Sequence, residues 1–224
     1  MKLLILRPEP GASETAERAL AMGLDPIVAP LFAIAAMSGP PVDAGRFDAV
    51  LVTSANGARH APAGLAVLPC FAVGERTAAA AREAGFVQVR AGPWDGAAAA
   101  AMMASAGVKR ALHLCGRDHA AIEAEGVEIE RRAVYSAEPL PRDRFEGPAV
   151  AMIHSARAGL RFARLAGGKA GIAIAAISHS AAAAAGEGWA AKAVATMPRD
   201  QALLELAAKL CNHGPEAVRD GNGL

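Results

Sequence analysis

Short strand candidates, most of them apolar runs, punctuate the chain: Leu3–Leu6, Pro26–Ala29, Ala49–Val52, Cys70–Val73, Val87–Arg90, Ala111–Leu114, Glu128–Val134, Ala149–Ile153, Ile172–Ile177 and Ala193–Thr196. Each is strand-length. Between them lie longer alanine-rich segments suited to helices, among them Glu14–Met22, Thr77–Ala84, Ala97–Ala104, Ala156–Leu165, Ala181–Ala185 and Gln201–Leu210. Short strands that alternate with helices predict βαβ units and parallel sheets.

Several apolar runs stop abruptly at hydroxyls. "VLVTSANGAR" around Thr53 and Ser54 has a counterpart in "VAMIHSARAGLR" around Ser155, and the likeness continues beyond both stretches. Ser54 and Ser155 stand 101 residues apart, Gly85 and Gly188 103, and Pro93 and Pro198 105, a drift that small insertions explain. The middle copy runs on through "RALHLCGRDHAAIEAEGVEIERRAVY", whereas the last copy has nothing to continue with. Its missing part opens the chain as "KLLILRPEPGASETAERALAMGLDPIVAPLF", with Gly23 and Gly126 103 residues apart. The pattern predicts a permuted duplication. One α/β domain spans 40–135; the other is discontinuous and joins 1–34 to 145–224, with linkers at 35–39 and 136–144 rich in turn-formers.

Ligands of open parallel sheets bind beyond the carboxyl ends of the strands, where helices begin. "VTSANG", "VGERT", "HSARAG", "ISHS" and "LRPEPG" are such ends, offering hydroxyls, glycine-exposed amides and helix N-termini, all of which favour anions. Ser, Thr and Asn also cap helices for purely structural reasons, so each hydroxyl carries both readings. Together they suggest a polar cleft for a ligand bearing several carboxylates or phosphates.

Composition narrows the options. A formal charge of +1 argues against a nucleic-acid surface. Cys70, Cys115 and Cys211 lack metal or redox spacing and read as free thiols of a reducing, cytoplasmic compartment. The first residues do not form a signal peptide, and no window is apolar enough to span a membrane. The tail "NHGPEAVRDGNGL" reads as frayed. No G-x-G-x-x-G, Walker loop or G-x-S-x-G elbow occurs, and the six histidines have no metal-ligand spacing. Asp118 and His119 follow a strand end, where they could cap a helix or touch a ligand. No cofactor and no metal are expected.

The ordered motifs "RP" after the first strand, "VTSANGA", "VGERTA", "VY" at Val134-Tyr135, "HSARAG" and "P-x-D-Q-A-L" resemble uroporphyrinogen-III synthases over nearly the whole chain. The resemblance implies two flavodoxin-like parallel-sheet domains joined by a two-stranded linker. It further implies a cofactor-free, monomeric lyase that closes the linear tetrapyrrole hydroxymethylbilane, a polycarboxylate, into uroporphyrinogen III. Carried over by motif, Thr53, Ser54, Asn56, Gly57, Gly74, Thr77, Ser155, Ser178, Ser180 and Arg7 are substrate-binding positions. At Ser178-His179-Ser180 the chain departs from the family's Gly-Thr-Thr pattern. Tyr135, the single tyrosine, matches the family tyrosine and is the expected catalytic group, either a hydrogen-bond donor to the departing hydroxyl or an interfacial aromatic. The rivals are a non-catalytic two-lobed module that binds polyanions and a nucleotide or sugar-phosphate enzyme on the same fold.

Overall fold

A computed structural model of the chain describes residues 1–92, 96–119 and 121–214. Pro93 and the tail beyond Gly214 lie outside the described residues. The chain divides into two compact units, Met1–Ala33 with everything from Pro139 onward, and Ile34–Glu138.

The second unit holds a six-stranded sheet. Its strands are β3 (Phe32–Ala36), β4 (Ala49–Val52), β5 (Cys70–Val73), β6 (Val89–Gly92), β7 (Arg110–Gly116) and β8 (Glu128–Pro139). They lie in the order β3-β8-β7-β4-β5-β6, and all neighbours from β8 to β6 run parallel. Helices α2 (Ala55–Arg59) and α3 (Glu75–Glu83) cover one face, sharing a core with Val50, Val52, Leu112 and Leu114. Helix α4 (Gly96–Ser105) covers the other, over Ala49, Leu51 and Phe71. Burial on both faces explains why β4 is apolar at every position.

The first unit holds β1 (Lys2–Ile5), β2 (Asp25–Val28), β9 (Ala149–Ile153), β10 (Ile172–Ala176) and β11 (Ala191–Val194), all parallel, in the order β11-β10-β9-β1-β2. Helices α1 (Gly11–Ala21) and α7 (Asp200–His213) pack on one face. Helices α5 (Ala156–Leu165) and α6 (His179–Ala185) pack together apart from that core. Reading β9-β10-β11 against β4-β5-β6 and β1-β2 against β7-β8 gives the same spatial order. The permuted repeat is therefore a permuted sheet. In both units the crossovers change face between the two central strands, at β4/β7 and at β9/β1.

Two features lay outside the hydrophobic pattern. Strand β3 falls in "FAIAA", which the turn-rich sequence after it disguises as a linker. Strand β8 continues through Ser136–Glu138 to Pro139. Bonds from Leu140 N to Leu31 O and from Met37 N to Val134 O pair the two segments antiparallel. An edge position needs only main-chain partners on one side, so neither segment requires strong apolar alternation.

Gly159 lets α5 and α6 approach closely: a Cβ there would lie 2.7 Å from Ala181 O. Gly159→Ala is expected to destabilise the protein by about 1–3 kcal/mol through overpacking, read as a lower urea midpoint. An unchanged midpoint would show that the helices separate freely.

Candidate functional site

At the carboxyl edge of the six-stranded sheet, β4 delivers Thr53 and Ser54 beside the end of β7. Ser54 is the N-cap of α2, its Oγ accepting the Gly57 N–H at 3.0 Å. The same oxygen lies 3.1 Å from the Tyr135 hydroxyl. Tyr135 rises from β8 and lays its ring over Gly116, where a Cβ would come within 2.9–3.1 Å of ring atoms and the hydroxyl. Gly57 is equally constrained, since a Cβ there would meet Leu114 O at 2.7 Å. Both glycines are thus spacers that allow the Ser54–Tyr135 contact.

Thr53 belongs to a second, adjoining group. Its Oγ1 lies 3.0 Å from His113 Nε2 and 3.4 Å from His119 Nε2, and the two imidazoles meet edge to face. Thr53 and His119 line a pocket of about 420 Å³ with Val73, Gly96, Ile122 and Glu123. The N-terminal end of α4 therefore opens onto it. His113 is 1% exposed. Burial, with His119 and Arg131 adding repulsion, lowers its pKa to about 4, so it is neutral at physiological pH.

The first unit uses charge at the matching edge. Asp200 opens α7 and receives Arg7 Nη1 at 2.7 Å, His154 Nε2 at 2.6 Å, Thr15 Oγ1 at 2.9 Å, and Arg18. A carboxylate only accepts, so His154 carries its proton on Nε2. Burial alone would raise the Asp200 pKa, but the His154 hydrogen bond, Arg7 and Thr15 outweigh it and hold the carboxyl well below its usual range. Burial, which the Asp200 hydrogen bond only partly offsets, lowers the pKa of His154. The cluster ties α7 to β1, α1 and β9, and a negative residue in the first helical turn suits the helix dipole.

The expected site residues thus part company. Ser54 and Tyr135 are brought together, with Gly57 beneath them and Asn56 in the same first turn of α2. Thr53 joins the histidines instead. Gly74, at φ +73°, starts α3, a conformation that favours glycine, whereas Thr77 is buried on the core side of that helix. Ser155 and Ser178 cap α5 and α6, accepting from Ala158 N at 3.2 Å and Ala181 N at 3.3 Å; Ser180 pairs with Ser178 at 3.0 Å. Arg7 is held by Asp200 and lies over Gly11, where a Cβ would meet its guanidinium at 2.7–2.9 Å. The Asp200 hub, Thr15, and the roles of His113 and His154 carry no motif in the sequence. The one signal available was a titratable residue inside or directly after an apolar strand, as at His113 and His154. Among the described residues, no cluster of His, Cys, Asp and Glu is arranged to hold a metal ion, and no helix is long and apolar enough to cross a membrane.

The family model for uroporphyrinogen-III synthase HemD (HEM4) matches residues 13–205. Among solved structures, the uroporphyrinogen-III synthetase of Helicobacter pylori 26695 is similar at TM-score 0.65 and 16% identity, over 93% of this chain and 98% of that one. A mutant uroporphyrinogen III synthase of the extremely thermophilic bacterium Thermus thermophilus is similar at TM-score 0.50 and 14% identity, over 98% and 99% of the two chains. At such identities the structures support the fold, while the family model supports membership. No curated protein matched the chain by sequence.

The buried histidines set a pH dependence of stability. His113 has a folded value near 4 against an ordinary 6.5, so the unfolded chain binds its proton first and stability is lost as pH falls through that interval. His154 acts in the same direction, and Asp200 extends the loss to still lower pH. The urea midpoint is expected to fall steadily from pH 6.5 to 4, with a shallower slope in His113→Gln. Equal slopes in the two proteins would remove His113 from the account.

Proposed function

The chain belongs to the uroporphyrinogen-III synthase family of cofactor-independent lyases in tetrapyrrole biosynthesis, and we propose that the Ser54–Tyr135 pair assists the reaction here. That reaction closes hydroxymethylbilane into uroporphyrinogen III, losing water and inverting the last pyrrole ring. The chemistry asks little of acids and bases. An electron-rich pyrrole expels its hydroxyl with modest help, leaving a conjugated azafulvene cation. Attack by the substituted carbon of the last ring forms a spiro intermediate, whose fragmentation and re-closure turn that ring over. Holding the chain in the folded conformation is the main task, which is catalysis by orientation.

The observation that carries the reading is the donor chain at Ser54. The Gly57 N–H donates to Ser54 Oγ, and Ser54 in turn can donate its own proton to the Tyr135 oxygen. The phenol proton is then directed at an outside acceptor, and each link polarises the next. A phenol hydroxyl is a hydrogen-bond donor, so Tyr135 can donate to the departing hydroxyl. The remaining carboxyl-edge groups, Thr53, Asn56, Ser155, Ser178 and Ser180, suit the substrate's carboxylates as hydrogen-bond donors, whereas Arg7 is engaged by Asp200 and the Gly74 N–H by Gly92 O. Thr77, buried in α3, supports that turn from within. Three buried free cysteines fit a reducing cytoplasm, and a net charge of +1 fits a small-molecule substrate better than nucleic acid.

Incubation with fresh hydroxymethylbilane, followed by isomer analysis of the oxidised porphyrins, tests the function: type III product supports it, and type I alone points to a non-catalytic binder. Tyr135→Phe is expected to lower turnover tenfold or more with an unchanged urea midpoint. Turnover near that of the native protein would exclude the phenol from the reaction.

A further inference from the structure

We infer that His113 is a positioning residue whose Nε2–H fixes the Thr53 hydroxyl as a donor into the adjoining pocket, where it receives one carboxylate of the substrate. The inference rests on the function proposed above and deepens it. Nothing in the "VTSANGA" motif requires a histidine on the neighbouring strand, so this is a property of the chain's own packing.

His113 projects from β7 into a fully covered position, 1% exposed, and its Nδ1 is buried with no hydrogen-bond partner. A neutral imidazole carries one N–H. With the proton on Nδ1, that N–H would be stranded in the interior; with it on Nε2, only a lone pair is. Buried N–H groups left unpaired are the rarer and costlier case. The proton therefore sits on Nε2, 3.0 Å from Thr53 Oγ1, and His113 donates. Burial supports this by keeping the ring neutral, with a pKa of about 4.

Once Thr53 Oγ1 accepts from His113, its own proton must point elsewhere. Two directions remain: His119 Nε2, at a long 3.4 Å, and the pocket that Thr53 itself lines. A carboxylate accepts more strongly than an imidazole nitrogen held at that distance, so a carboxylate in the pocket accepts the Thr53 hydrogen bond. The pocket suits an anion in a second respect, because Gly96 and Ala97 bring the N-terminal end of the ten-residue helix α4 to its wall. Glu123 also lines it but is exposed, so solvent screens its charge. A side chain at position 113 that cannot donate would leave the Thr53 rotor free to turn its proton inward and its lone pair toward the carboxylate.

Two measurements test this. The first needs no substrate: long-range 15N–1H correlation spectra of the whole protein are expected to show His113 as the Nε2–H tautomer, and the Nδ1–H tautomer would overturn the inference. The second compares His113→Leu with His113→Gln, whose amide can place an N–H near the same point. His113→Leu is expected to raise KM for hydroxymethylbilane about tenfold while kcat changes less than threefold; His113→Gln should keep KM within about threefold of native. A native KM in His113→Leu, a His113→Gln as weak as His113→Leu, or a loss confined to kcat would each refute it. Urea midpoints of both variants separate a lost donor from a lost fold. The isomer formed by the native protein judges the proposed function separately: type I alone overturns that function, while the tautomer judges His113 by itself.

Discussion

Strands β4 and β9 are buried on both faces, so neither carries a polar side chain before it leaves its sheet, and each is soon followed by a serine that caps a helix. This constraint organises the molecule. A parallel strand has no solvent face on which to place chemistry, so hydroxyls and charges gather at its carboxyl end. The helix that follows leaves its first N–H groups without partners, and Ser54, Ser155 and Ser178 each satisfy one. Capping and function are therefore compatible roles for one oxygen. Ser54 accepts from Gly57 and still has a proton to give to Tyr135.

The two units solve the same geometric problem with different chemistry. Where crossovers change face beside β9, a largely buried carboxylate, its side chain 12% exposed, gathers two guanidiniums, an imidazole and a hydroxyl around the start of α7. Removing one member of such a cluster leaves buried charge uncompensated, so the arrangement holds as a whole. Beside β4 the corresponding groups are hydroxyls and imidazoles: Thr53 with His113 and His119, and a serine paired with a phenol. Hydroxyl donors can meet a carboxylate without first breaking an ion pair. That contrast makes the six-stranded sheet the better place to look for the reacting groups.

Much of the fold was legible because parallel sheets demand continuous apolar runs, and β4, β5, β9 and α5 begin and end where the pattern places them. The repeat was legible for the same reason, since sheet order repeats only if strand and turn signals repeat. Strand β3 escaped because an edge strand needs little hydrophobic signature. The five-residue helix α2 is shorter than periodicity can register.

The candidate site divides along similar lines. Ser54, Tyr135 and Gly57 were readable as a family pattern, because turn geometry and capping are local and leave fixed residue types at fixed spacings; Gly116 beneath the Tyr135 ring was not. The partners of Thr53 and Asp200 were not readable. His113 lies 60 residues from Thr53, and Asp200 lies 193 from Arg7. Only sheet order brings such residues together, by placing β7 against β4 and α7 across the ends of β1 and β9. The sequence alone determined where strands such as β4 and β9 must stop and that a serine caps the helix after each, since those depend on neighbours along the chain. Tertiary structure decided which hydroxyl meets an imidazole and which carboxylate meets an arginine, because that depends on strands that are adjacent only in space.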